Sequence, residues 1–479
     1  MTFYRKAASR LAASCTLIIF ASVSAPAQFE TRGAFTALAD STTVSEAVGD
    51  FNHDGILDLA VVSYCCPIGG VSILLGNGDG TFRPPVNYPA GSQPFSIVVV
   101  DLNHDGNLDL AVADSTGPSL SILLGNGDGT FQKAVPSPML PRSPTMVSAG
   151  DFNGDGIPDL VAASYSVISV LLGKGDGTFQ EPINIQPPAA VDSIAVGDFN
   201  RDGKLDLAEA GTFGSNNSVQ ILLGNGDGTF RDGANYATGE SPESIAVADL
   251  NGDSKVDLAI ADSEGSSINI FLGNGDGTFQ STATFPIEFC GWVTVADVNG
   301  DDKPDLVVAA DYDFAQNISG AAVFLGNGDG TFQDAQYFPG DSYATSHVVV
   351  GDFNGDGKKD LVLTNFAGDN VLVMLNTGVI SFSPTNPMTF KKQAVGTKSS
   401  PQEITLTNTG LTGVKISSMK ASAQFGVTST CGKSVAPGAA CTVSVTFSPT
   451  SKGAKSGTLN INNSASSKPM VIELSGTGT

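Results

Sequence analysis

The sequence predicts an all-β protein, a seven-bladed β-propeller followed by a β-sandwich, and three observations carry this prediction. An acidic pattern, Asp-x-Asn-x-Asp-x-x-x-Asp-Leu, recurs seven times at intervals of 47 to 55 residues. Each copy is followed by short apolar runs and turn residues, and no helical period interrupts them. Near residue 380 the composition changes, from 46 acids against 12 bases over 28–378 to 2 acids against 9 bases over 379–479. Such a change marks a domain boundary.

Residues 1–27 have the features of a secretory signal peptide. Three basic residues precede an apolar run from Leu11 to Val23, and Ala25-Pro26-Ala27 supplies the small-x-small pattern of a cleavage site. The run is too short to span a bilayer, and no later stretch approaches about 20 apolar residues. Cys15 lies near the start of the run rather than after it, which argues against a lipoprotein. We expect cleavage after Ala27, a secreted or cell-surface location and no transmembrane segment in the mature chain.

The repeats occupy 28–378 and each reads as four short strands. The second unit runs "FSIVVVD", the acidic loop, "LDLAVAD", "SLSILLG", an Asn-Gly-Asp-Gly turn and "TFQKAV". Asn-Gly and Asp-Gly favour the φ > 0 turns of tight hairpins. Four strands in about 50 residues is the size of a propeller blade, and a closed ring leaves no exposed sheet edges. A linear solenoid has shorter units and capping repeats, which this chain lacks, so the ring is favoured.

The acidic loop has the donor pattern of a calcium site. Carboxylates at positions 1, 5 and 9 and an asparagine at position 3 repel one another unless a hard cation gathers them, and a backbone carbonyl at position 7 with water completes the shell. A solvated Asx-rich turn explains one such loop, but seven copies favour calcium, up to seven ions. The predicted ligands are Asp50, Asn52, Asp54, Asp58, Asp101, Asn103, Asp105, Asp109, Asp151, Asn153, Asp155, Asp159, Asp198, Asn200, Asp202, Asp206, Asp249, Asn251, Asp253, Asp257, Asp297, Asn299, Asp301, Asp305, Asp352, Asn354, Asp356 and Asp360.

Two details qualify the calcium prediction. Ser254 and Asp302 replace the glycine at position 6 in the fifth and sixth loops, where weaker binding is expected. An EF-hand would need an acid at position 12 and flanking helices. Only Glu209 supplies such an acid, and the flanks read as strands.

"DFNGDGIPDL" followed by "LLGKGDGTF" resembles the FG-GAP repeat of the integrin α-subunit head and, more closely, bacterial VCBS-type repeat proteins. The resemblance covers about 350 residues. It implies a seven-bladed propeller with calcium between the first and second strands of each blade. It implies no single activity, because such propellers occur in adhesins, lectin-like modules and some polysaccharide-acting enzymes.

Strand order places the loops after strands one and three on one face and the variable segments on the other, where a binding site is expected. All tyrosines of the mature chain lie in or beside variable segments, as does Trp292. Tyr88 and Tyr236 share one repeat position, and Tyr64 and Tyr165 another, which favours packing between blades. Tyr312, Phe314 and Tyr343 occupy the most irregular loops and are the candidate ligand-binding residues.

Catalysis finds little support, because no Ser-His-Asp, zinc or phosphate-loop pattern occurs. His53 and His104 occupy position 4 of acidic loops, where solvated side chains are expected, and His347 reads as a strand-edge residue. The acidic charge argues against nucleic acid. We expect an extracellular binding or adhesion module for a glycan or protein, monomeric and not an enzyme. The alternatives are a polysaccharide lyase or hydrolase and a structural cell-surface scaffold.

The segment 379–479 alternates apolar with Thr, Ser and Asn residues, which predicts half-buried strands of a sandwich. "LTNTG" and "CTVSVTFSPTSKGAKSGTLNI" resemble the Ig-like domains of the ASH/HYDIN type, often called choice-of-anchor D. In an exported protein Cys431 and Cys441 are expected to form a disulfide. Cys65 and Cys66 are either bridged to each other or free, and Cys290 has no evident partner.

Overall fold

The computed structural model describes residues 29–37, 41–64, 69–187, 190–213, 216–287, 290–313, 318–340, 345–366, 369–376, 380–383, 388–408, 413–464 and 470–479. These residues form 37 strands and no helix, so the predicted all-β fold is confirmed. Within these ranges no helix could span a membrane. The predicted signal peptide, residues 1–27, lies outside the described residues.

The described residues of the repeat region form seven four-stranded antiparallel sheets, one for each acidic loop. Sheets 1 to 3 are β2(Thr42–Gly49), β3(Asp58–Tyr64), β4(Gly70–Leu74), β5(Val86–Pro89); β6(Pro94–Val100), β7(Asp109–Asp114), β8(Leu120–Leu123), β9(Val135–Pro136); and β10(Met146–Gly150), β11(Asp159–Ser164), β12(Val167–Leu171), β13(Ile183–Ile185). Sheets 4 to 6 are β14(Ser193–Gly197), β15(Asp206–Phe213), β16(Asn216–Gly224), β17(Phe230–Ala237); β18(Pro242–Ala248), β19(Asp257–Asp262), β20(Ser267–Gly273), β21(Phe279–Pro286); and β22(Cys290–Ala296), β23(Asp305–Asp313), β24(Ile318–Phe324), β25(Gln336–Pro339). Sheet 7 consists of β26(Thr345–Gly351), β27(Asp360–Asn365), β28(Asn370–Asn376) and β1(Phe29–Thr36).

The sheets are arranged in a ring. The first strand of each sheet packs against the first strand of the next, and β2 of sheet 1 packs against β26 of sheet 7. Hydrogen bonds between neighbouring sheets recur around the ring. Gly129 N of sheet 2 donates to Phe51 O of sheet 1 (2.9 Å), and Gly80 N of sheet 1 donates to Phe353 O of sheet 7 (3.0 Å). The predicted β-propeller is confirmed.

The ring is closed by the first strand of the chain. β1 pairs antiparallel with β28, from Phe29 opposite Asn376 to Thr36 opposite Asn370, and so becomes the outermost strand of sheet 7. Phe29 is buried, and its ring lies 5.0 Å from that of Phe338 in an edge-to-face contact. Sheet 7 is therefore built from both ends of the repeat region.

The turns between third and fourth strands require glycine. Gly78 and Gly80 adopt φ of 76° and 79°, a region that side-chain-bearing residues rarely occupy. A Cβ on Gly80 would also lie 2.7 Å from Leu375 Cδ2 of sheet 7. The Asn-Gly-Asp-Gly turn thus sets both the hairpin and the close approach of adjacent sheets.

The C-terminal region is a sandwich of two sheets, in the orders β29-β31-β35-β33 and β30-β37-β36-β32-β34. Its core contains Phe390, Leu406, Phe447 and Ile461. Lys358 Nζ, in the acidic loop of sheet 7, donates to Ser464 O of the sandwich at 3.1 Å. The strands are β29(Ile380–Ser383), β30(Met388–Thr389), β31(Gln402–Asn408), β32(Val414–Ala421), β33(Phe425–Ser429), β34(Ser434–Val435), β35(Ala440–Phe447), β36(Gly453–Asn463) and β37(Met470–Gly478).

Candidate functional site

The acidic loops join the first and second strands of every sheet and share one conformation. In the first loop Asp50 Oδ1 and Asn52 Oδ1 both accept the N–H of Asp54 (3.1 and 2.9 Å), and Asp50 Oδ2 accepts that of Gly55 (2.8 Å). The same bonds recur in the other six loops. Positions 1 and 3 therefore direct their side-chain oxygens towards the interior of one tight loop.

The aspartate at position 9 is buried and ties the loop to the neighbouring turn. Asp58 Oδ2 accepts the N–H of Phe51 (2.9 Å), and Asp58 Oδ1 accepts that of Gly76 (2.7 Å). Burial raises the pKa of Asp58 to about 6; its two backbone hydrogen bonds lower it, and the charges of Asp54 and Asp50 raise it further. In sheet 7 the pKa of Asp360 rises to about 7 for the same reasons, and Asn376 replaces the glycine as donor.

The donor chemistry of each loop fits a hard cation. Every carboxylate oxygen that accepts one N–H keeps a further lone pair, and the mutual repulsion of positions 1, 5 and 9 is relieved by a positive ion. Within the described ranges, however, no three or more Asp, Glu, His or Cys side chains converge closely enough to form a metal cluster. A cation bound in one of these loops would therefore also need the oxygens of the position-3 asparagine and of the backbone as ligands.

Lysines supply part of the counter-charge in three loops. The ammonium groups of Lys255, Lys303 and Lys358, each at position 7, lie 2.8, 3.9 and 3.1 Å from the position-5 carboxylates of their loops. The hydrogen bond from Lys255 lowers the pKa of Asp253. The loops therefore differ in how much of their negative charge neighbouring lysines offset.

The structure adds a contact to each of two histidines. His53 is exposed, as expected, and its Nε2 also lies 3.0 Å from Asn107 Oδ1 in the loop of the next sheet. His347 lies near the start of β26, as expected, and is buried there with its ring 4.1 Å from that of Trp292. Both residues connect neighbouring sheets.

The interpretation of Tyr88 and Tyr236 as packing residues is confirmed. Each hydroxyl accepts a backbone N–H from the following sheet, that of Phe131 for Tyr88 (3.1 Å) and that of Phe279 for Tyr236 (2.7 Å). Their rings make edge-to-face contacts with the same two phenylalanines. These tyrosines stabilise the contact between sheets.

Tyr165 behaves differently from this pair. It lies in the turn between β11 and β12, on the face opposite the acidic loops, and is 69% exposed. Met139 (73% exposed) lies in the connection from sheet 2 to sheet 3, and Phe95 (44% exposed) begins sheet 2 on the same face. Leu140 N donates to Pro118 O at 2.7 Å, which fixes the Met139 connection against the β7–β8 turn. We call Phe95, Met139 and Tyr165 the apolar patch.

Acidic side chains continue this face over sheets 4 and 5. Val191 N donates to Tyr165 O (3.3 Å), so Asp192 follows directly beside the patch. Further along, Ser263 Oγ donates to Glu243 Oε1 at 2.7 Å. The pKa of Glu243 is raised, first because surrounding protein displaces water and further by Asp192 and Glu264, against the lowering effect of Ser263.

The prediction that Tyr312, Phe314 and Tyr343 bind a ligand stays a prediction. Phe314 and Tyr343 lie outside the described residues, and only the backbone of Tyr312, in β23, lies within them. Cys65 and Cys66 also lie outside them. Cys431 and Cys441 form the expected disulfide, and Cys290 is a buried free thiol whose pKa burial raises to about 12.

The sequence analysis did not predict that Glu46 and Glu209 are buried. Glu46 Oε1 lies 3.3 Å from His347 Nδ1, and the Glu46 side chain is fully buried. Glu209 is buried in β15, so its match to an EF-hand position is coincidental. Burial, followed by the charge of Asp232, raises the pKa of Glu209 to about 8. Aligning the seven units would have found both, because the other six carry Ile or Val at the Glu46 position and Val, Ala, Ile or Leu at the Glu209 position.

A cavity of about 960 Å³ lies where the ring meets the sandwich. Val48, Val295 and Val350 from the first strands of sheets 1, 6 and 7 form its apolar wall, and Lys415 and Ser464 approach from the sandwich. The acidic loop of sheet 7 therefore faces the second domain rather than open solvent alone.

Comparison with known proteins places the repeats and the C-terminal region in two families. A model described as FG-GAP-like repeat matches residues 50–112, 105–162, 151–208, 211–260, 249–308 and 297–363. A model described as Abnormal spindle-like microcephaly-associated, ASPM-SPD-2-Hydin (ASH), matches 377–471. No curated protein matches the chain.

Two solved structures resemble the fold. An Agrocybe aegerita lectin that specifically recognises non-reducing terminal N-acetylglucosamine is 19% identical, with a TM-score of 0.48 over 68% of this chain and 86% of its own. A functionally unknown protein from Desulfotomaculum acetoxidans is 13% identical, with a TM-score of 0.43 over 61% of this chain and 84% of its own.

Proposed function

The chain belongs to the FG-GAP-like repeat family, and on that basis we propose that it is an exported, calcium-stabilised module that binds an extracellular glycan or protein. Binding takes place on the face opposite the acidic loops. The observation that carries this proposal is the apolar patch, Phe95, Met139 and Tyr165, exposed over two neighbouring sheets.

Exposed apolar side chains on one face of a rigid frame are typical of an interaction surface. The tyrosine contributes a flat ring with a hydroxyl at its edge, which suits both sugar rings and protein surfaces. The neighbouring acids, Asp192 and Glu243, add hydrogen-bond acceptors for hydroxyl or amine groups. The segments around the patch differ between units, so the surface is specific to this part of the ring.

Calcium has a structural role in this proposal. The ions would be held by positions 1, 3 and 5 of the loops with the carbonyl at position 7, and position 9 would contribute its remaining lone pairs. Their positive charge would offset part of the excess of 46 acids over 12 bases across 28–378. The ions would lie on the opposite face from the ligand and would act by stabilising the ring.

The test uses the chain from residue 28, loaded with calcium or treated with a chelator, against a panel of polysaccharides and extracellular-matrix proteins. Both retention and the release of new sugar ends are measured. We expect retention without cleavage. Tyr165→Ser with Met139→Ser should weaken it about tenfold or more. Val86→Ser with Val135→Ser is the matched control, because these residues are 48% and 49% exposed on outer strands.

Retention that is unchanged by the patch variant would overturn the proposed face. New sugar ends would overturn the binding role and indicate an enzyme. Full retention and unchanged stability after chelation would remove calcium from the proposal and leave the binding surface intact.

A further inference from the structure

Five lysines gather at one end of the C-terminal sandwich. Lys391 and Lys392 precede Gln393, whose N–H donates to Thr477 O and whose carbonyl accepts the N–H of Thr479, both at 2.9 Å. Strand β36 begins beside this point, with Gly453 opposite Gly478 and Lys455 opposite Gly476. The full cluster, which we call the lysine end, is Lys391, Lys392, Lys398, Lys452 and Lys455.

Lys398 joins the cluster through the adjoining loop. Gly396 N donates to Pro449 O and Ser399 N donates to Phe447 O, both at 2.9 Å. These bonds hold Lys398 beside the segment that leads to Lys452. Four of the five lysines are exposed and Lys455 is partly exposed.

The lysine end points away from the propeller. β36 runs from Gly453 to Asn463, and Ser464, which follows it, accepts the hydrogen bond from Lys358 of the ring. A strand of that length spans about 30 Å. Because charges in physiological salt are screened over about 8 Å, the acidic ring does not neutralise the lysine end.

Nearby acids do not neutralise it either. The segment 379–479 contains two acids, Glu403 and Glu473, and in the described residues none of the five lysines forms an ion pair. The Lys455 ammonium donates to Ser451 Oγ (2.8 Å) and to Lys452 O (3.3 Å). Five cations held within a few residues of one sheet end raise the local potential and attract a polyanion.

We propose that the lysine end binds an anionic polysaccharide, through its carboxylate or sulfate groups. The Ser451 hydroxyl lies beside the Lys455 ammonium group, and such a hydroxyl suits the hydroxyls of a sugar chain. Phe390, Phe425 and Phe447 of the sandwich are buried. These three rings therefore offer no stacking platform for nucleic-acid bases.

This surface is separate from the patch of the proposed function, which lies on the ring. A molecule held at its lysine end by a polyanion would turn its acidic ring away from that polymer by charge repulsion. The two surfaces would then act together, one attaching the protein and the other meeting its partner.

The test measures binding of the calcium-loaded full mature chain to immobilised polygalacturonate and dextran sulfate, with neutral dextran as the reference. The variant of the lysine end, called the tip variant, is Lys391→Gln/Lys392→Gln/Lys452→Gln. The matched control is Lys415→Gln/Lys420→Gln/Lys433→Gln, which removes the same charge from elsewhere in the same domain. We expect the tip variant to bind about tenfold more weakly, with a shallower dependence on salt, and the control to bind like the parent chain.

Equal loss in the tip variant and the control would overturn the assignment to this surface, and binding to neutral dextran at the same strength would overturn the charge argument. Tighter binding to duplex DNA or to anionic vesicles of equal charge density would indicate that the lysine end binds a different polyanion. That result would contradict the proposal of an anionic polysaccharide. Circular dichroism and the unfolding temperature of each variant establish that it is folded. Variants of the apolar patch on the ring should leave polyanion binding unchanged. A failure of this proposal can therefore be distinguished from a failure of the proposed function.

Discussion

His347 Nδ1 lies 3.3 Å from Glu46 Oε1 across the junction where sheet 7 meets sheet 1. The glutamate side chain is fully buried, so removing the imidazole alone leaves a carboxylate without its partner. We expect His347→Ser to lower the free energy of unfolding by about 3 kcal/mol. Urea denaturation of the calcium-loaded protein measures this loss.

The double variant Glu46→Ile/His347→Ser restores the residue types that most other units carry at these positions. We expect it to regain most of the lost stability, because Glu46→Ile removes the buried carboxyl group that His347→Ser alone leaves without a partner. A double variant as unstable as His347→Ser would show that the pair itself stabilises the junction.

This junction also marks how far sequence reasoning could reach. The repeat pattern predicted the sheets and the shared face of the acidic loops, because a recurring motif fixes local strand order. It did not predict that β1 completes sheet 7, since "FETRGAFT" carries no repeat signature. Nor did it bring Glu46 and His347 together, because only ring closure makes the two ends of the repeat region neighbours.

The site was predicted in part for a similar reason. The spacing of the acids identified the loops, but it did not show that position 9 is buried and bound to two backbone N–H groups, as Asp58 is. Tyr88 and Tyr165 look alike in the sequence, yet one hydroxyl bonds to the next sheet and the other ring faces solvent. Only tertiary contacts separate the two roles.

Glu209 should make stability depend on pH. Its pKa is about 8 in the folded protein, because it is buried and near Asp232, whereas in the unfolded chain it is close to 4.3. Between these values the folded state holds a proton that the unfolded state has released. Stability therefore falls as pH rises from about 4 to about 8, by up to about 1.4 kcal/mol per pH unit from this group alone.

The variant Glu209→Gln keeps the shape and removes the titration. Its unfolding free energy should lose that part of the pH dependence and exceed that of the parent chain at pH 8. Denaturation curves at pH 5, 6, 7 and 8 measure the difference, with Glu240→Gln, an exposed residue, as the control. If the unfolding free energies of Glu209→Gln and the parent chain changed with pH in parallel, the assignment of this pH dependence to Glu209 would be contradicted.

Replacing the buried aspartate at position 9 of a loop and replacing the exposed aspartate at position 5 should have different effects on stability when calcium is removed. Asp109 accepts backbone N–H groups from Leu102 and Gly125 at 2.9 and 2.7 Å, and neither bond requires a cation. Asp109→Asn leaves one buried N–H without an acceptor, and we expect a loss of about 2 kcal/mol even in chelator. Asp105 lies in the exposed loop, so Asp105→Asn should lower the unfolding temperature only when calcium is present.

The unfolding temperatures of Asp109→Asn and Asp105→Asn, each measured with calcium and with chelator, test this difference. The parent chain itself should unfold at a lower temperature in chelator, since a ligand of the folded state stabilises it. Identical unfolding of Asp105→Asn and the parent in calcium would argue against a cation in that loop.

Closure of the ring by β1 predicts an asymmetry within that strand. Phe29 is 2% exposed and packs on Phe338, whereas Arg32 is exposed and forms only a surface ion pair with Asp79 at 3.2 Å. Phe29→Ala creates a cavity at the outer side of sheet 7, and we expect it to cost about 3 kcal/mol. Arg32→Ala should cost less than about 1 kcal/mol.

Because β1 is the outermost strand beside β28, the Phe29 variant should also be cut by protease near β1 before the rest of the ring unfolds. Cleavage that begins at another sheet, or equal losses for the two variants, would contradict a role for β1 in holding sheet 7 closed.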